Sequence, residues 1–439
     1  MNSFFTWLEN ILTPIAVKVG GQRHLTAIRD GFICAMPFII VGSFMLIFSF
    51  PPFPADTSFV LGKWWLATAN KYLYEIMTPY NMTMGMMAVF VSIGVAYNLA
   101  KSYKMDGLSC ALLSVMSFFL ISAPMKDGML PSAYLGGTGV FTAVILAIFV
   151  TELMRWLKVN NIGIPLPESV PQNIRQSFNL LIPAALIIVT VYLFNLFLVS
   201  SFSVVLPQAI MNIFKPLVVA SNTLPALLFA VLLAQLLWFC GIHGATIVGG
   251  IMSPFYLINL SANQAALETG LPLPNIIAGD FWTYFITCGG SGATFGLVLL
   301  YLRSKSSHLR AIGKLSFIPG IFNVNEPVLF GSPVVMNPLL FIPFLLVPLM
   351  NATIGYTLLA TDWLGRIVTM VPWTVPAPVG FAWAAGWKLN NSLIIFLLLA
   401  IDLIVYYPFF KMYERQLLQR EVEDLRAASV AGVNASSLN

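Results

Sequence analysis

Nine stretches of this chain are apolar over 17 residues or more, and that one property removes most of the folds otherwise open to 439 residues. They lie near 32–50, 82–100, 107–123, 136–156, 178–206, 223–240, 281–302, 338–360 and 390–410. A helix needs about 20 apolar residues to cross a bilayer. With 58% hydrophobic and only 9% charged residues, a soluble fold would lack the polar surface to cover its core. The expected class is an all-α polytopic membrane protein with about ten transmembrane helices.

The runs divide the chain. Residues 1–206 hold five spans, 207–222 reads as an interfacial connector around Lys215 and Pro216, and 223–410 is more irregular. Shorter pieces broken by Gly and Pro occur at 241–260, 316–335 and 371–387, and 411–439 is a charged tail that ends in Ala, Ser and Asn. The opening Met1 to Gly21, with Glu9 and no cleavage pattern, resembles an amphipathic helix that stays attached.

Lys and Arg collect on the cytoplasmic side of membrane proteins. Five alternating crossings from an inside N-terminus place Lys18, Arg23, Arg29, Lys101, Lys104, Arg155, Lys158 and Arg175 there, and the tail adds Lys411, Arg415, Arg420 and Arg426. Both termini are therefore expected in the cytoplasm. The cluster Arg303, Lys305, Arg310 and Lys314 fits the same side only if 241–260 contributes a crossing. Nothing in the net charge of +5 points to nucleic acid.

Two breaks carry the chemistry. The first is Gly320-Ile-Phe-Asn-Val-Asn-Glu-Pro-Val-Leu-Phe-Gly-Ser-Pro333, where Pro327 pushes Asn325 and Glu326 out of uninterrupted helix. Irregular backbone at membrane depth survives only inside protein or beside a wet cavity, and an acid there is a functional-site candidate. The second is Trp238-Phe-Cys-Gly-Ile-His243-Gly-Ala-Thr246, where His243 stands between glycines. Alone, such a histidine more often satisfies a nearby carbonyl. Paired with Glu326, it is a candidate for accepting and relaying a hydroxyl proton. Discontinuous helices are also how many transporters build substrate sites. Trp238, Phe322, Trp373 and Trp383 are aromatic candidates for a sugar face, although each alone also suits a membrane-interface anchor.

Other features read as structural. Gly289-Gly-Ser-Gly-Ala-Thr294 lacks the Lys of a phosphate loop and is expected to pack helices closely, as is Gly136-Gly-Thr-Gly139. No nucleotide-binding motif occurs, so no ATP use, cofactor or metal is expected. Cys34, Cys110, Cys240 and Cys288 read as buried free thiols. Glu152 with Arg155 and Lys158 marks a span end, Asp362 and Arg366 are spaced as a helical ion pair, and Asp402 reads as a hydrogen bond between helices.

The string Gly313-Lys-Leu-Ser-Phe-Ile-Pro-Gly-Ile-Phe-Asn-Val-Asn-Glu-Pro-Val-Leu-Phe-Gly-Ser-Pro333, preceded by Gly241-Ile-His-Gly244 and followed by Val371-Pro-Trp-Thr374, resembles the lactose/cellobiose family of enzyme IIC. So does Ala27-Ile-Arg-Asp-Gly-Phe-Ile. These proteins are the membrane components of the phosphoenolpyruvate-dependent sugar phosphotransferase system. The resemblance implies a homodimer in the bacterial cytoplasmic membrane, with 1–206 as scaffold and 223–410 as an elevator-type transport domain flanked by two re-entrant hairpins. It implies Glu326 and His243 at the sugar hydroxyl that is phosphorylated, with Asn325, Asn323, Trp238 and Trp373 around the disaccharide. It also implies a separate phosphorylated IIB protein, recharged by IIA. The loop Pro167-Glu-Ser-Val-Pro-Gln-Asn departs from the Pro-Glu-Gly-Val-Pro-Pro of many members, so the resemblance leaves the sugar open, with a cellobiose-like β-linked disaccharide as first expectation. A proton-coupled symporter using the same pair is the competing class. An intramembrane hydrolase finds no nucleophile or metal cluster.

Overall fold

Gln22 opens the first helix by accepting the Leu25 N–H on its side chain at 2.7 Å, and the apolar run behind it sustains α1 (Arg23–Ser49) for 27 residues. The computed structural model describes residues 21–436, with Pro14 and Lys18, except 52, 55, 126, 165, 166, 168–170, 333, 335 and 336. For 172–177, 179, 239, 338 and everything after Gln419, only the backbone is described. The amphipathic helix expected before Gly21 and the expected loop residues 168–170 lie outside the described residues.

The chain continues through α2 (Val60–Lys71), α3 (Leu73–Met82), α4 (Met87–Ser102), α5 (Gly107–Ser122), α6 (Val140–Val159) and α7 (Gln172–Phe202). Glycine sets how closely these pack. A Cβ on Gly94 would lie 2.6 Å from the Gly31 carbonyl, so α1 and α4 touch backbone to backbone. At one end of this bundle, Glu152 accepts from His24 Nε2 at 2.8 Å, Tyr103 Oη at 2.5 Å and Arg155 Nε at 2.8 Å, tying α1, α4 and α6 together.

α8 (Leu206–Ser221) and α9 (Leu224–Phe239) meet at a 78° bend. Then come α10 (Gly244–Glu268), a π-helical turn (Trp282–Ile286), α11 (Phe295–Leu302), α12 (Ser307–Ile321), α13 (Glu326–Gly331), α14 (Pro338–Ala360), α15 (Ala377–Ala384) and the long α16 (Leu389–Ser436). Asn351 of α14 donates to Asp402 of α16 at 3.0 Å, both fully buried, which is the interhelical bond expected of Asp402. Glu414 holds the basic turn against α16 by accepting from Ser304 Oγ and Lys305 N, each at 2.7 Å.

The chain is an all-helical, multi-span membrane protein. Seven described helical segments are long and apolar enough to cross a bilayer, or eight if the bent α8–α9 pair is one span. About ten were expected, and the difference has two sources. α5 is only 16 residues long, and 281–302 is not one helix: it breaks between Thr287 and Thr294. Conversely, from Gly244 onward the expected fragment 241–260 belongs to a continuous 25-residue helix, α10, which tolerates Pro254 in its interior and is long enough to be the extra crossing the basic cluster requires. Asp362 and Arg366 do pair at 3.1 Å, but in a turn, with Asp362 at φ +56°, and not on a helix. Cys34 is exposed, against expectation, because an apolar run does not tell a core face from an outer face.

Candidate functional site

α12 ends at Ile321 with Phe322 as its cap, and Asn323 takes φ +63°, a left-handed conformation that asparagine tolerates better than most residues. The chain then turns through Val324 and Asn325 into the short α13, whose first turn is Glu326-Pro327. Proline suits that position because its missing N–H would have no partner anyway, and an acid there meets the positive end of the helix. The Glu326 side chain is exposed, while Asn323 and Asn325 are 7% and 4% exposed.

The two asparagines face inward and are occupied. Asn323 Oδ1 accepts from Gly289 N at 2.9 Å, and its Nδ2 donates to the carbonyls of Trp373 at 2.7 Å and Val375 at 3.1 Å. Asn325 Nδ2 donates to the Ser291 carbonyl at 2.6 Å and to Thr294 Oγ1 at 2.8 Å. Both were expected around the sugar. Their amide hydrogens go to the backbone of neighbouring breaks and to the Thr294 hydroxyl, and backbone partners are what buried irregular chain requires.

Gly289-Gly-Ser-Gly-Ala-Thr294 is the partner of that break, and here the sequence expectation is corrected. It is not a helix-packing stripe. Gly289, Gly290 and Gly292 stand at φ +73°, +99° and +81°, and a Cβ on Gly290 would lie 2.1 Å from Asn325 Cγ. The loop is a glycine cradle that lets Asn325 approach. Tyr406 of α16 anchors it by donating to the Gly292 carbonyl at 2.6 Å. Asp280, which sequence reasoning missed, holds the fourth irregular segment by accepting from Val371 N at 3.0 Å. The signal for the cradle was present in the repeated glycines; nothing in the sequence singled out Asp280.

His243 lies between two helices. Gly241, at φ +78°, closes α9 in a Schellman motif, with Ile242 N donating to Leu237 O and Gly241 N to Trp238 O. His243 then caps α10: its Nδ1 accepts from Thr246 N at 3.2 Å and lies 2.6 Å from Thr246 Oγ1. Gly244 permits the tight connection, since a Cβ there would sit 1.9 Å from the Ala234 carbonyl. The ring is exposed and packs on Trp238, centroids 4.3 Å apart.

Glu326 opens α13 and His243 caps α10, and both are exposed. Trp238 is 4% exposed and supports His243 from beneath, whereas the Trp373 side chain is 52% exposed beside the asparagine-held segment. Phe322 is also exposed, while Trp383 stacks between Phe44 and Trp387. Among the described residues, no group of three or more His, Cys, Asp or Glu side chains could hold a metal.

Comparison with known proteins agrees over most of the chain. Residues 29–348 match the family model of the phosphotransferase system EIIC. The cellobiose-specific EIIC component of Geobacillus stearothermophilus is 38% identical, covering 99% of this chain and all of that one. The lichenan permease IIC component of Bacillus subtilis (strain 168) is 35% identical over 96% of each chain. The lactose-specific EIICB component of Lacticaseibacillus casei is 32% identical over 96% of this chain and 72% of its own length. The crystal structure of the transporter ChbC, the IIC component of the N,N'-diacetylchitobiose-specific phosphotransferase system, superposes with TM-score 0.88 at 35% identity, covering 94% of this chain and 99% of that one. With its glycine cradle, its Asn-Glu-Pro break and these relatives along its length, the chain belongs to the EIIC components of the phosphotransferase system, in the lactose/cellobiose/chitobiose family.

Proposed function

We propose that the protein binds a β-linked disaccharide, cellobiose-like, carries it across the bacterial cytoplasmic membrane and presents one hydroxyl to a phosphorylated cysteine on a separate IIB protein, which IIA recharges. Residues 1–206 form the dimeric scaffold and 223–410 the moving domain in an elevator motion, with both termini cytoplasmic. The sugar oxygen attacks phosphorus, the S–P bond of IIB breaks, the thiolate leaves, and Glu326 takes the hydroxyl proton. The charged sugar phosphate no longer suits the site and is released inside. Neither ATP nor a cofactor enters the reaction.

The observation that carries this reading is the exposed Glu326 carboxylate at the Asn-Glu-Pro break, with the exposed His243 at a second helix break. The choice of sugar rests on the cellobiose-specific relative that matches from end to end. Asn323 and Asn325 serve by holding the break, and the Trp373 face is available to a sugar ring.

Glu326→Gln removes the base and keeps the shape. In vesicles given phosphorylated IIB, sugar phosphorylation should fall by about 10²–10⁴-fold, the usual worth of general base catalysis, while sugar binding persists. Normal phosphorylation by this variant would sink the assignment. The same vesicles without IIB separate the symporter class: accumulation of unmodified sugar driven by a pH gradient would favour symport.

A further inference from the structure

The backbone that carries the exposed Trp373 ring cannot hold itself. Pro372 and Pro376 bracket the segment, lack N–H groups, and press the residues before them, Val371 and Val375, toward extended backbone. The segment closes one bond of its own: Val375 N donates to the Pro372 carbonyl at 2.9 Å, a β-turn with Trp373 and Thr374 at its corners, both exposed. Its other bonds come from outside. Val371, 1% exposed, donates its N–H to Asp280 Oδ2 at 3.0 Å, and Asn323 Nδ2 donates to the carbonyls of Trp373 at 2.7 Å and Val375 at 3.1 Å. The turn thus hangs between two side chains. Asp280 is itself firmly set: Gly279, at φ +51°, donates to the Tyr256 carbonyl of α10 at 3.0 Å, and the Asp280 carbonyl accepts from Thr283 N at 2.9 Å. Among the described residues its carboxylate has no ion-pair partner and no second hydrogen bond. Burying part of a carboxylate is costly, and the Val371 amide is what this one serves.

We infer that Asp280 is a positioning residue for the ligand: with Asn323 it fixes the Pro372–Val375 turn, so that Trp373 is presented on an ordered backbone as a platform for the apolar face of a pyranose ring. The ligand class rests on the function proposed above; the mounting of the turn does not. Asn323 ties the platform to the site, because its Cα is three chain steps from that of Glu326, at most about 11 Å. Ordering the turn before the ligand arrives removes that entropic cost from binding. Loss of the mount therefore falls on sugar affinity and not on the phosphoryl-transfer step.

The test uses the full chain in lipid, labelled with 5-fluorotryptophan. The ¹⁹F signal that vanishes in Trp373→Phe belongs to Trp373. Asp280→Ala, which strands Val371 N, should displace that signal, and Asp280→Asn, which keeps an acceptor, should leave it near the parent position. Should Asp280→Ala fail to fold, Asp280→Glu takes its place, moving the acceptor by one methylene at constant charge. An unmoved signal in the folded variant, or an equal displacement in Asp280→Asn, overturns the inference, whatever the protein transports. Calorimetric titration of cellobiose gives the second readout. Asp280→Ala should weaken binding by about tenfold, the worth of one hydrogen bond, and with phosphorylated IIB it should raise KM while kcat stays near the parent value. In a Trp373→Ala background the same substitution should cost nothing further, because the platform is gone. A full loss in that background would show Asp280 acting elsewhere and refute the positioning role. Should the parent bind no cellobiose, the proposed function fails while the fluorine signal still decides the mount.

Discussion

Replacing Gly290 with alanine imposes two costs that the glycine cradle avoids. Its backbone stands at φ +99°, and a Cβ would lie 2.1 Å from Asn325 Cγ and 2.3 Å from Asn325 Cβ. The left-handed backbone alone costs about 1–2 kcal/mol for an L side chain. Collision in a packed interior adds about 1–3 kcal/mol when the neighbour must shift. Asn325 has little room to retreat, because its Nδ2 is bonded to Ser291 and Thr294 and the residue is 4% exposed. Gly290→Ala is thus expected to lose about 2–5 kcal/mol of stability, the sum of the two ranges, and to displace the turn that aims Glu326. Gly270→Ala is the matched control: its φ is +69° and a Cβ there meets nothing within 4 Å, so only the backbone cost applies. Thermal unfolding of both variants in one detergent, with calorimetric titration of cellobiose, reads the difference. Equal losses in the two variants, or unchanged sugar binding by Gly290→Ala, would refute the link between cradle and break.

Two further substitutions probe the polar contacts. Asn323→Ala deletes three hydrogen bonds and leaves an unfavourable φ of +63°, for a loss of about 2–4 kcal/mol; Asn323→Gly relieves only the backbone part, roughly 1 kcal/mol. Full recovery of unfolding stability in Asn323→Gly would show those bonds to be idle. Asp402→Asn keeps an acceptor for Asn351, whereas Asp402→Ala strands a buried amide at a cost of about 1–3 kcal/mol. Transport by Asp402→Asn should be normal, and its loss would instead make Asp402 a proton carrier.

The long runs were legible because a bilayer dictates length and polarity together. The stretch 338–360 is α14 to the residue, 107–123 runs one residue past the end of α5, and 207–222 is shifted by one residue at each end from α8. Hydropathy is blind to dihedral angles, however. The run 281–302 scores as a span although Gly289, Gly290 and Gly292 turn left-handed inside it. The converse error fell at 241–260, where glycines and Pro254 look like breakers. The actual break is confined to Cys240–His243, and Pro254 is carried within α10. At the site, Glu326 and His243 stood out because polar groups amid apolar ones need a reason. The partners of Asn323 lie 34 to 52 residues away in the chain, and no local pattern announces contacts of that range.

A carboxylate can stay free at such a place only if other groups meet the needs of the broken backbone. Had Glu326 been required to bond the unpaired amides around it, its oxygens would be occupied and its basicity spent. Here Asn323 accepts from the Gly289 amide, and Asn323 and Asn325 donate to the carbonyls of Trp373, Val375 and Ser291. The glycines admit these side chains where a Cβ would exclude them. At the Asn-Glu-Pro break, the structural hydrogen bonds are therefore carried by the asparagines and not by Glu326, and that separation is what leaves a carboxylate exposed at a helix end.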